Sequence, residues 1–367
     1  LRQKGTYAVV TGQQVGLFSG PAFTIHKALT AVRLAQWLSE SGIPSVPMFW
    51  LATEDHDLEE VARTGVLDNA YGRVEFADPG DRPATRSPVG WVKLTPAITE
   101  TLGQLEGTLP AGVTRDAVMR DLRDTYQPGA TWSQAFGRLM ARLFGRWGVV
   151  LVDALDKELH QLSAGIYDCA IDRAAVSRQL LLDRSQELEK RGYHAQVNIA
   201  EDSTLLFLMR GGERLPVHQS DHAFLLGSEE SVSAAAVKAE LANDPLHFSA
   251  NVLLRPIVQD SLLPTLAYVA GPSELAYLAQ AQAIYETFGR PMPVIYPRAG
   301  FTLIDAKARR LLEKYRLSIE DAWQGEEHLG QKIAVAGFSE GWSERFDQSE
   351  QEVSMLLGRL HKDIEAL

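Results

Sequence analysis

The sequence predicts an α/β protein built around a parallel sheet, and two observations near its start support this fold class. An apolar segment at residues 8–10 leads through a loop rich in Gly and Gln into a helix that begins near Thr24. A near-continuous apolar run over residues 43–52 follows, which is typical of a parallel strand covered on both faces. Strand, helix and strand in this order form a right-handed crossover unit, whose ligand-binding edge lies at the carboxyl ends of the strands.

The loop after the first strand is a candidate anion site. Backbone N–H groups in the first turn of a helix lack partners inside the helix, so a phosphate or carboxylate can bind there. The loop glycines fall four residues apart, which matches neither the Walker loop nor the dinucleotide fingerprint, and a glycine-rich turn without a ligand is the alternative. The candidate binding residues are Gly12, Gln13, Gln14, Gly16, Gly20, Thr24 and Lys27, and His26 is a candidate for proton transfer.

A second polar cluster follows the second strand and consists of Glu54, Asp55, His56 and Asp57. Because the carboxyl ends of parallel strands meet at one edge of a sheet, we expect this cluster to face the same crevice as the first loop. His56 or Asp57 is the predicted general base, and Glu54 and Asp55 are predicted binding residues. The alternative is a helix start, because Asp57 followed three positions later by Glu60 forms a variant of the capping box.

A third strand-to-helix corner lies near residue 270. The apolar segment 266–270 predicts a strand, Ser273 is the predicted N-cap of a helix from Glu274 to about Phe288, and residues 293–296 predict the next strand. Arg255 suits a clamp for a carboxylate or phosphate, because its guanidinium can bind two oxygens at once; a surface ion pair is the alternative. The candidate binding residues here are Arg255, Tyr268, Gly271, Ser273 and Glu274.

The rest of the chain predicts insertions into the core. The predicted segments are a first core part at 1–67, a mainly helical insert at 68–147, a core return with a long helix at 148–192, a β-rich insert at 193–247, a second core part at 248–340 and the start of a C-terminal coiled-coil helix at 341–367. Within them we expect a return strand at 149–152, the long helix at about 157–191, and strands at 196–199 and 204–209.

The C-terminal segment carries a heptad pattern. Phe346, Val353, Leu360 and Leu367 fall seven residues apart, with Leu356 in the complementary position. This pattern predicts either a coiled coil between molecules or a helix that packs on the protein's own core. The chain begins at Leu1 rather than Met and stops within the helical pattern, so we expect both ends to be incomplete.

Composition narrows the class of partner. The chain has 36 basic and 47 acidic residues and a net charge of −11, which disfavours binding to nucleic acid or to an anionic membrane surface. Cys169 is the single cysteine, so an intrachain disulfide and a thiolate-rich zinc site are excluded, as is typical of a cytoplasmic protein. His218 and His222 could form a metal pair, but unrelated loop histidines are the safer interpretation, and no metal site is predicted.

Several motifs together resemble the bacillithiol-biosynthesis cysteine-adding enzymes, a family of cysteine ligases, and the resemblance covers nearly the whole chain. In the first part of the chain the motifs are residues 11–21 (TGQQVGLFSGP), residues 24–28 (TIHKA), Phe49-Trp50 and residues 54–57 (EDHD). In the later part they are Leu254-Arg255-Pro256, Gln259-Asp260, residues 263–265 (LPT), Tyr268, Gly271-Pro272, Glu274, Tyr277, Met292-Pro293 and Pro297-Arg298.

The resemblance implies a Rossmann-like core with connective inserts, as in class I nucleotidyltransferases, and a C-terminal coiled coil that forms a homodimer. It implies that the carboxyl group of L-cysteine is joined to the amine of glucosaminyl malate, the last step of bacillithiol synthesis. Amide formation from a free carboxylate is uphill, so a nucleotide such as ATP, with Mg²⁺, is the implied activating cofactor.

The sequence differs in two respects from the class I nucleotidyltransferase pattern that supports a nucleotide cofactor. Thr24, His26 and Lys27 resemble the His-x-Gly-His helix start of that class, but the spacing differs and no Lys-Met-Ser-Lys-like loop follows. Two other functions stay open from the sequence: a nucleotidyltransferase that acts on another small acid, and a non-catalytic nucleotide-binding protein that assembles a thiol-synthesis complex.

Overall fold

The computed structural model describes residues 3–220, 223–227, 230–337 and 341–365. Contacts divide the chain into two compact units, Leu1–Gly300 and Phe301–Leu367. The division therefore falls after Gly300, whereas the sequence predicted a core part that extends to residue 340.

Among the described residues, the first unit contains every strand and most of the helices. Its strands are β1 Tyr7–Gln13, β2 Ser45–Leu51, β3 Arg63–Leu67, β4 Arg73–Ala77, β5 Val150–Asp153, β6 Ser203–Arg210, β7 Glu213–Gln219, β8 Phe224–Leu226, β9 Glu230–Val232, β10 Phe248–Ala250, β11 Thr265–Ala270 and β12 Val294–Pro297. Its helices are α1 Phe23–Glu40, α2 Leu58–Val61, α3 Ile98–Thr108, α4 Val113–Thr125, α5 Trp132–Phe144, α6 Lys157–Asp172, α7 Ala174–Lys190, α8 Ala234–Asn243, α9 Arg255–Leu262 and α10 Pro272–Ala281.

The central sheet is parallel, and it confirms the predicted α/β class. Its five strands run in the order β12-β11-β1-β2-β5. Ala8, Val9 and Val10 in β1 are fully buried, as expected for a strand at the centre of a sheet covered on both faces. Because β1 pairs with β11 on one side and β2 on the other, the three polar corners that follow these strands share one edge.

The helical and β-rich inserts both fold onto this core. The segment between β2 and β5 holds the β3-β4 hairpin and α3 to α5, and Trp132, Phe136 and Met140 of α5 are fully buried beneath Phe49 of β2. The segment after α7 forms an antiparallel sheet in the order β10-β6-β7-β8-β9. The second sheet meets the central sheet through a shared apolar cluster that includes Trp50 and Leu206.

Three local predictions were wrong. The long helix predicted at 157–191 is divided at Arg173 into α6 and α7, and residues 196–199 form no strand. The helix predicted to end near Phe288 ends at Ala281. Two short 3-10 turns follow it up to Gly289, which adopts a left-handed φ of 64°. Periodic apolar spacing persists through such breaks, so it does not locate them.

The second unit is helical. It contains α11 Ala306–Tyr315, α12 Ile319–Trp323, α13 Glu326–Gly337 and α14 Trp342–Glu365. Four predicted heptad residues lie on α14 with exposed side chains, namely Phe346, Val353, Leu356 and Leu360. Leu367 lies outside the described residues, and the coiled coil stays a prediction. In the described part of the chain, every helix is too short or too polar to cross a bilayer.

Candidate active site

A cavity of about 780 Å³ opens at the carboxyl ends of β1, β2 and β11. It confirms the predicted juxtaposition of the polar corners in one crevice. The predicted residues that line it are Gly12, Gln13, Gln14, Lys27, Glu54, Asp55, His56, Arg255, Tyr268, Gly271, Ser273 and Glu274. A cavity of this size is in the range that holds small substrates or a nucleotide.

Five predicted site residues do not line this cavity, which corrects the expectation that they face it: Gly16, Gly20, Thr24, His26 and Asp57. A Cβ atom on Gly16 would lie 2.8 Å from the Cα atom of Gly20, so these glycines permit close packing of the loop on itself. Thr24 is fully buried. The Asp57 side chain caps α2 by accepting a hydrogen bond from the backbone N–H of Glu60 at 3.2 Å, as the capping alternative predicted.

Lys27 joins the first corner to the third. Its side chain is almost fully buried, and its Nζ lies 2.6 Å from Oε2 of Glu274. The same Nζ donates hydrogen bonds to the carbonyl of Gly12 and to Oε1 of Gln13. Burial lowers the pKa of Lys27, and the Glu274 carboxylate opposes this shift. All of these contacts hold the ammonium within the cavity wall, so Lys27 anchors the two corners to each other.

Glu274 is held by three donors. Besides Lys27, the Tyr268 hydroxyl donates to Oε1 and the Gly271 backbone N–H donates to Oε2, each at 2.7 Å. Gly271 is the N-cap of α10 and Pro272 is its first residue, so the prediction of Ser273 as the N-cap was wrong by two positions. Proline pre-sets the backbone dihedral at the first helical position and lacks the N–H that would be unpaired there.

Two arginines approach the cavity from the β11 side. The Arg255 guanidinium donates to the hydroxyl groups of Tyr277 at 3.1 Å and Tyr268 at 3.4 Å. Arg298 lies beside the start of α10, where a Cβ atom on Gly271 would be 3.4 Å from the Arg298 Nε. Oε2 of Glu274 lies at the same distance, so the start of α10 lies next to a guanidinium and to the carboxylate that accepts from the Gly271 N–H.

Two further arginines enclose His56 on the opposite side. The Arg86 guanidinium lies 3.0 Å from Nε2 of His56, and the Arg214 guanidinium lies 3.3 Å from Nδ1. Burial and the two nearby positive charges, Arg214 before Arg86, lower the pKa of His56. His56 is therefore neutral near pH 7, and each ring nitrogen faces a cation, which makes proton uptake by this ring unfavourable.

Arg214 is fixed by contacts on every side. It is 6% exposed, stacks on the Phe207 ring at 3.7 Å, and donates to Oγ of Ser249 and the carbonyl of Ala250. These neutral contacts orient the guanidinium without neutralising it.

Three arginines line the cavity and a fourth, Arg86, lies beside it against His56, while four carboxylates, of Glu54, Asp55, Glu60 and Glu274, belong to the same lining. Within the described residues, no carboxylate forms an ion pair with Arg86, Arg214, Arg255 or Arg298, although all four guanidinium groups lie in or beside the cavity. Removing charge from water without a partner costs several kcal/mol per ion, so this arrangement favours the binding of an anion with more than one negative group.

The remaining acidic residues form two separate groups. The Gln14 amide donates to Asp55 at 2.8 Å and to Glu60 at 2.7 Å, which holds these two carboxylates together. Glu54 is buried and lies 3.1 Å from Nε2 of His160. Among the described residues, no cluster of three or more potential ligands is suited to a metal ion. His218 contacts Asp202 at 2.9 Å, and His222 lies outside the described residues.

Several residues at the cavity were not assigned by sequence reasoning. Arg214, which lines the cavity, and Arg86, which lies beside it against His56, come from the two inserts, which carry no local motif. Tyr277 and Arg298 belong to the motifs that carry the family resemblance, and that signal could have identified them. Phe207 appeared only as part of a predicted strand.

Comparison with known proteins gives one consistent result. The family profile described as "Bacillithiol biosynthesis BshC, N-terminal Rossmann-like domain" matches residues 1–299. Proteins named "Putative cysteine ligase BshC" are similar to this chain over most of its length. The one from Koribacter versatilis is 42% identical over 334 residues, which is 90% of this chain and 61% of the relative.

Two more relatives with this name align with the whole chain. The protein from Solibacter usitatus is 37% identical over 369 residues and the one from Salinibacter ruber is 37% identical over 371 residues. The chain spans 68% and 67% of their lengths. The chain therefore corresponds to about two thirds of these relatives.

Proposed function

The chain belongs to the BshC family of bacillithiol biosynthesis, and on this premise we propose that it is a carbon–nitrogen ligase. The reaction joins the carboxyl group of L-cysteine to the amine of glucosaminyl malate. The name of the relatives supports cysteine as one substrate. Glucosaminyl malate as the second substrate is what the family resemblance implies, and the guanidinium groups at the cavity support it.

The observation that carries this proposal is the set of guanidinium groups at one cavity that form no ion pair with a carboxylate among the described residues. The malyl group of glucosaminyl malate has two carboxylates, and cysteine brings a third. In this proposal Arg86 and Arg214, which contact the two ring nitrogens of His56, bind the malyl carboxylates. Arg255, which lines the same cavity, binds the cysteine carboxyl group. Bidentate pairing of guanidinium with carboxylate supplies both affinity and orientation.

A nucleotide fits the third corner of the cavity. The residues that would hold a phosphate are Ser273 and Arg298, because both line the cavity and backbone N–H groups in the first turn of a helix favour negative charge. A bound nucleoside triphosphate would activate the cysteine carboxyl group, because a free carboxylate must be activated before it can form an amide. The first corner fits this role less well, since Lys27 is already paired with Glu274.

We also propose the cellular compartment and the oligomeric state of the protein. We place it in the cytoplasm, because its single cysteine is typical of a reducing compartment and the substrates are metabolites. We propose a homodimer formed through α14, whose heptad residues expose their apolar side chains.

The test is product formation by the purified protein. L-Cysteine and glucosaminyl malate are supplied with and without ATP and Mg²⁺, and the thiol product is measured by mass spectrometry. We expect product that depends on both substrates and on ATP, with stoichiometric release of pyrophosphate or phosphate. L-Serine in place of cysteine is the matched control.

The same assay separates the alternatives. Exchange of labelled pyrophosphate with ATP in the presence of cysteine alone, without product when the amine is added, would favour a nucleotidyltransferase for another acid. Absence of both exchange and product would overturn the ligase proposal and favour a non-catalytic protein.

A further inference from the structure

Glu54 differs from the other carboxylates that line the cavity. Glu274 accepts from three donors, and Asp55 accepts from the Gln14 amide and from the backbone N–H groups of His56 and Asp57. Glu60 is exposed at the rim and shares the Gln14 amide. Glu54 is buried, and within the described residues its one close charged partner is His160, at 3.1 Å. It is the carboxylate of this cavity that is least committed to other hydrogen bonds.

A second, smaller cavity lies behind Glu54. Its volume of about 10 Å³ is that of one water molecule. Trp50, Glu54, His160, Ser163 and Tyr167 are among the residues that line it. Trp50, Glu54, Ala250 and Arg255 line both cavities, so Glu54 belongs to the wall that the two spaces share.

Two buried nitrogen atoms at this small cavity have no hydrogen-bond partner among the described residues. They are Nε1 of Trp50, whose side chain is 3% exposed, and Nε2 of His160, whose side chain is 2% exposed. His160 Nε2 is close enough to Glu54 for an ion pair, but its angle to the carboxylate does not satisfy a hydrogen bond. Unsatisfied buried donors are destabilising, so one water molecule in this space would satisfy both.

The contacts of His160 favour its protonated form beside Glu54. Its Nδ1 lies 3.3 Å from the carbonyl of Pro245. Burial opposes protonation, but the Glu54 carboxylate and then the Pro245 carbonyl outweigh it and raise the pKa of His160 above its ordinary value. The other titratable or charged groups facing this pair are Tyr167, Arg214 and Arg255.

We propose that Glu54 is the proton acceptor of the ligase reaction and that His160, with one buried water, is its positioning residue. This inference rests on the proposed function. The ammonium group of the amine substrate transfers one proton to the Glu54 carboxylate. The nitrogen lone pair so released attacks the carbonyl carbon of the phosphate-activated cysteine carboxyl group. The C–O bond to the activating phosphate breaks, this group leaves with its oxygen and the electron pair, and the second proton of the attacking nitrogen passes to it as the amide forms. The imidazolium of His160 holds the Glu54 carboxylate in place before the transfer.

His56 is the weaker candidate for the same role. Both of its ring nitrogens face guanidinium groups, which disfavours uptake of a proton. Glu54 also lies near cations, but it lines the cavity with a carboxylate of which, among the described residues, only Oε1 is paired, with His160.

Steady-state kinetics of the full chain test this assignment. Glu54→Gln removes the acceptor but keeps its shape, and we expect turnover to fall by about 100-fold, in the range for loss of a general base. His160→Leu removes the cationic partner of this carboxylate, so the acceptor is no longer held in place. We expect kcat to fall by about 10-fold while KM stays unchanged.

His160→Gln distinguishes positioning from a merely structural role. Its amide can still donate to the carboxylate, so we expect this conservative variant to restore most of the turnover that His160→Leu loses. His218→Gln is the matched control, because His218 also pairs with a carboxylate but lies in the β-rich insert away from the cavity. It should leave turnover unchanged.

A second readout does not depend on turnover. In protein labelled with ¹⁵N-histidine, NMR should show His160 titrating above its ordinary pKa in the wild type and at a lower pH in Glu54→Gln. A crystal structure that resolves ordered water should show one molecule within hydrogen-bond distance of Trp50 Nε1 and His160 Nε2.

The outcomes separate this inference from the proposed function. A wild-type protein that forms product while Glu54→Gln retains its turnover would overturn the role of Glu54 alone. Wild-type turnover in His160→Leu, or a His160 titration that Glu54→Gln leaves unchanged, would overturn the role of His160. Absence of product from the wild type would instead reject the proposed function.

Discussion

The first corner and the two inserts contribute to the cavity in opposite ways. Residues 12–27 carry the conspicuous glycine pattern, yet Gly16 and Gly20 pack against each other and Lys27 is paired within the wall. Arg86 and Arg214, from inserts without a motif, present guanidinium groups at the cavity. The comparison teaches that the glycine-rich loop shapes the cavity, whereas the inserts supply much of the charge that would recognise a substrate.

The largest effect should come from breaking the anchor of the first corner. Lys27→Met leaves the Glu274 carboxylate without its ammonium partner in a mostly buried site, so we expect the free energy of unfolding to fall by about 3 kcal/mol. Urea denaturation measures this change. The double variant Lys27→Met with Glu274→Gln should recover part of the loss, and a Lys27→Met protein of wild-type stability would contradict the anchoring role.

A substitution in the β-rich insert should weaken substrate recognition. Arg214→Gln removes a fixed guanidinium from the proposed malyl subsite, and we expect kcat/KM for glucosaminyl malate to fall by about 100-fold. Steady-state kinetics with saturating cysteine measure it. Arg142→Gln is the control, because Arg142 is exposed and paired with Asp121 and Asp124. Equal kinetics for both variants would place the malyl group elsewhere.

A smaller effect should separate packing from binding in the glycine loop. Gly16→Ala places a Cβ atom 2.8 Å from the Gly20 Cα, which should destabilise the protein by about 1–3 kcal/mol. The kinetic constants of the folded protein should stay within about twofold of wild type, since Gly16 is outside the cavity lining. Gly103→Ala, in open space on α3, is the matched control. A selective rise in KM would instead indicate that the loop touches a ligand.

The smallest effect concerns the pH dependence of stability. Because the pKa of His56 is lowered on folding, the unfolded chain takes up its proton first as the pH falls below about 6.5. The folded state is therefore destabilised in that range, and His56→Gln should reduce this acid-side loss. Thermal melts between pH 7 and pH 5 measure the difference, and parallel curves for the two proteins would reject the shift.

Much of the architecture could be predicted from the sequence because the core strands are continuous apolar segments. The runs at 8–10, 43–52 and 266–270 became β1, β2 and β11, and parallel topology then brought their polar ends together. The break at Arg173 could not be predicted, since the apolar spacing continues through it.

The candidate site was predictable only in part. Residues next to the core strands, such as Glu54 and Gly271, were found because chain position determines where they lie. Arg214 and His160 were not, because they reach the site through the packing of an antiparallel sheet and a helix against the core. Long-range placement of this kind leaves no local pattern in the sequence.

The recognition of carboxylates by the insert wall can be measured directly by calorimetry. Glucosaminyl malate and glucosamine, which lacks the malyl group, are titrated into the wild type and into the double variant Arg86→Gln with Arg214→Gln. We predict that the wild type binds glucosaminyl malate at least about 100-fold more tightly than glucosamine and that the double variant loses this preference. Equal preference in the two proteins would contradict the assignment of this wall to substrate binding.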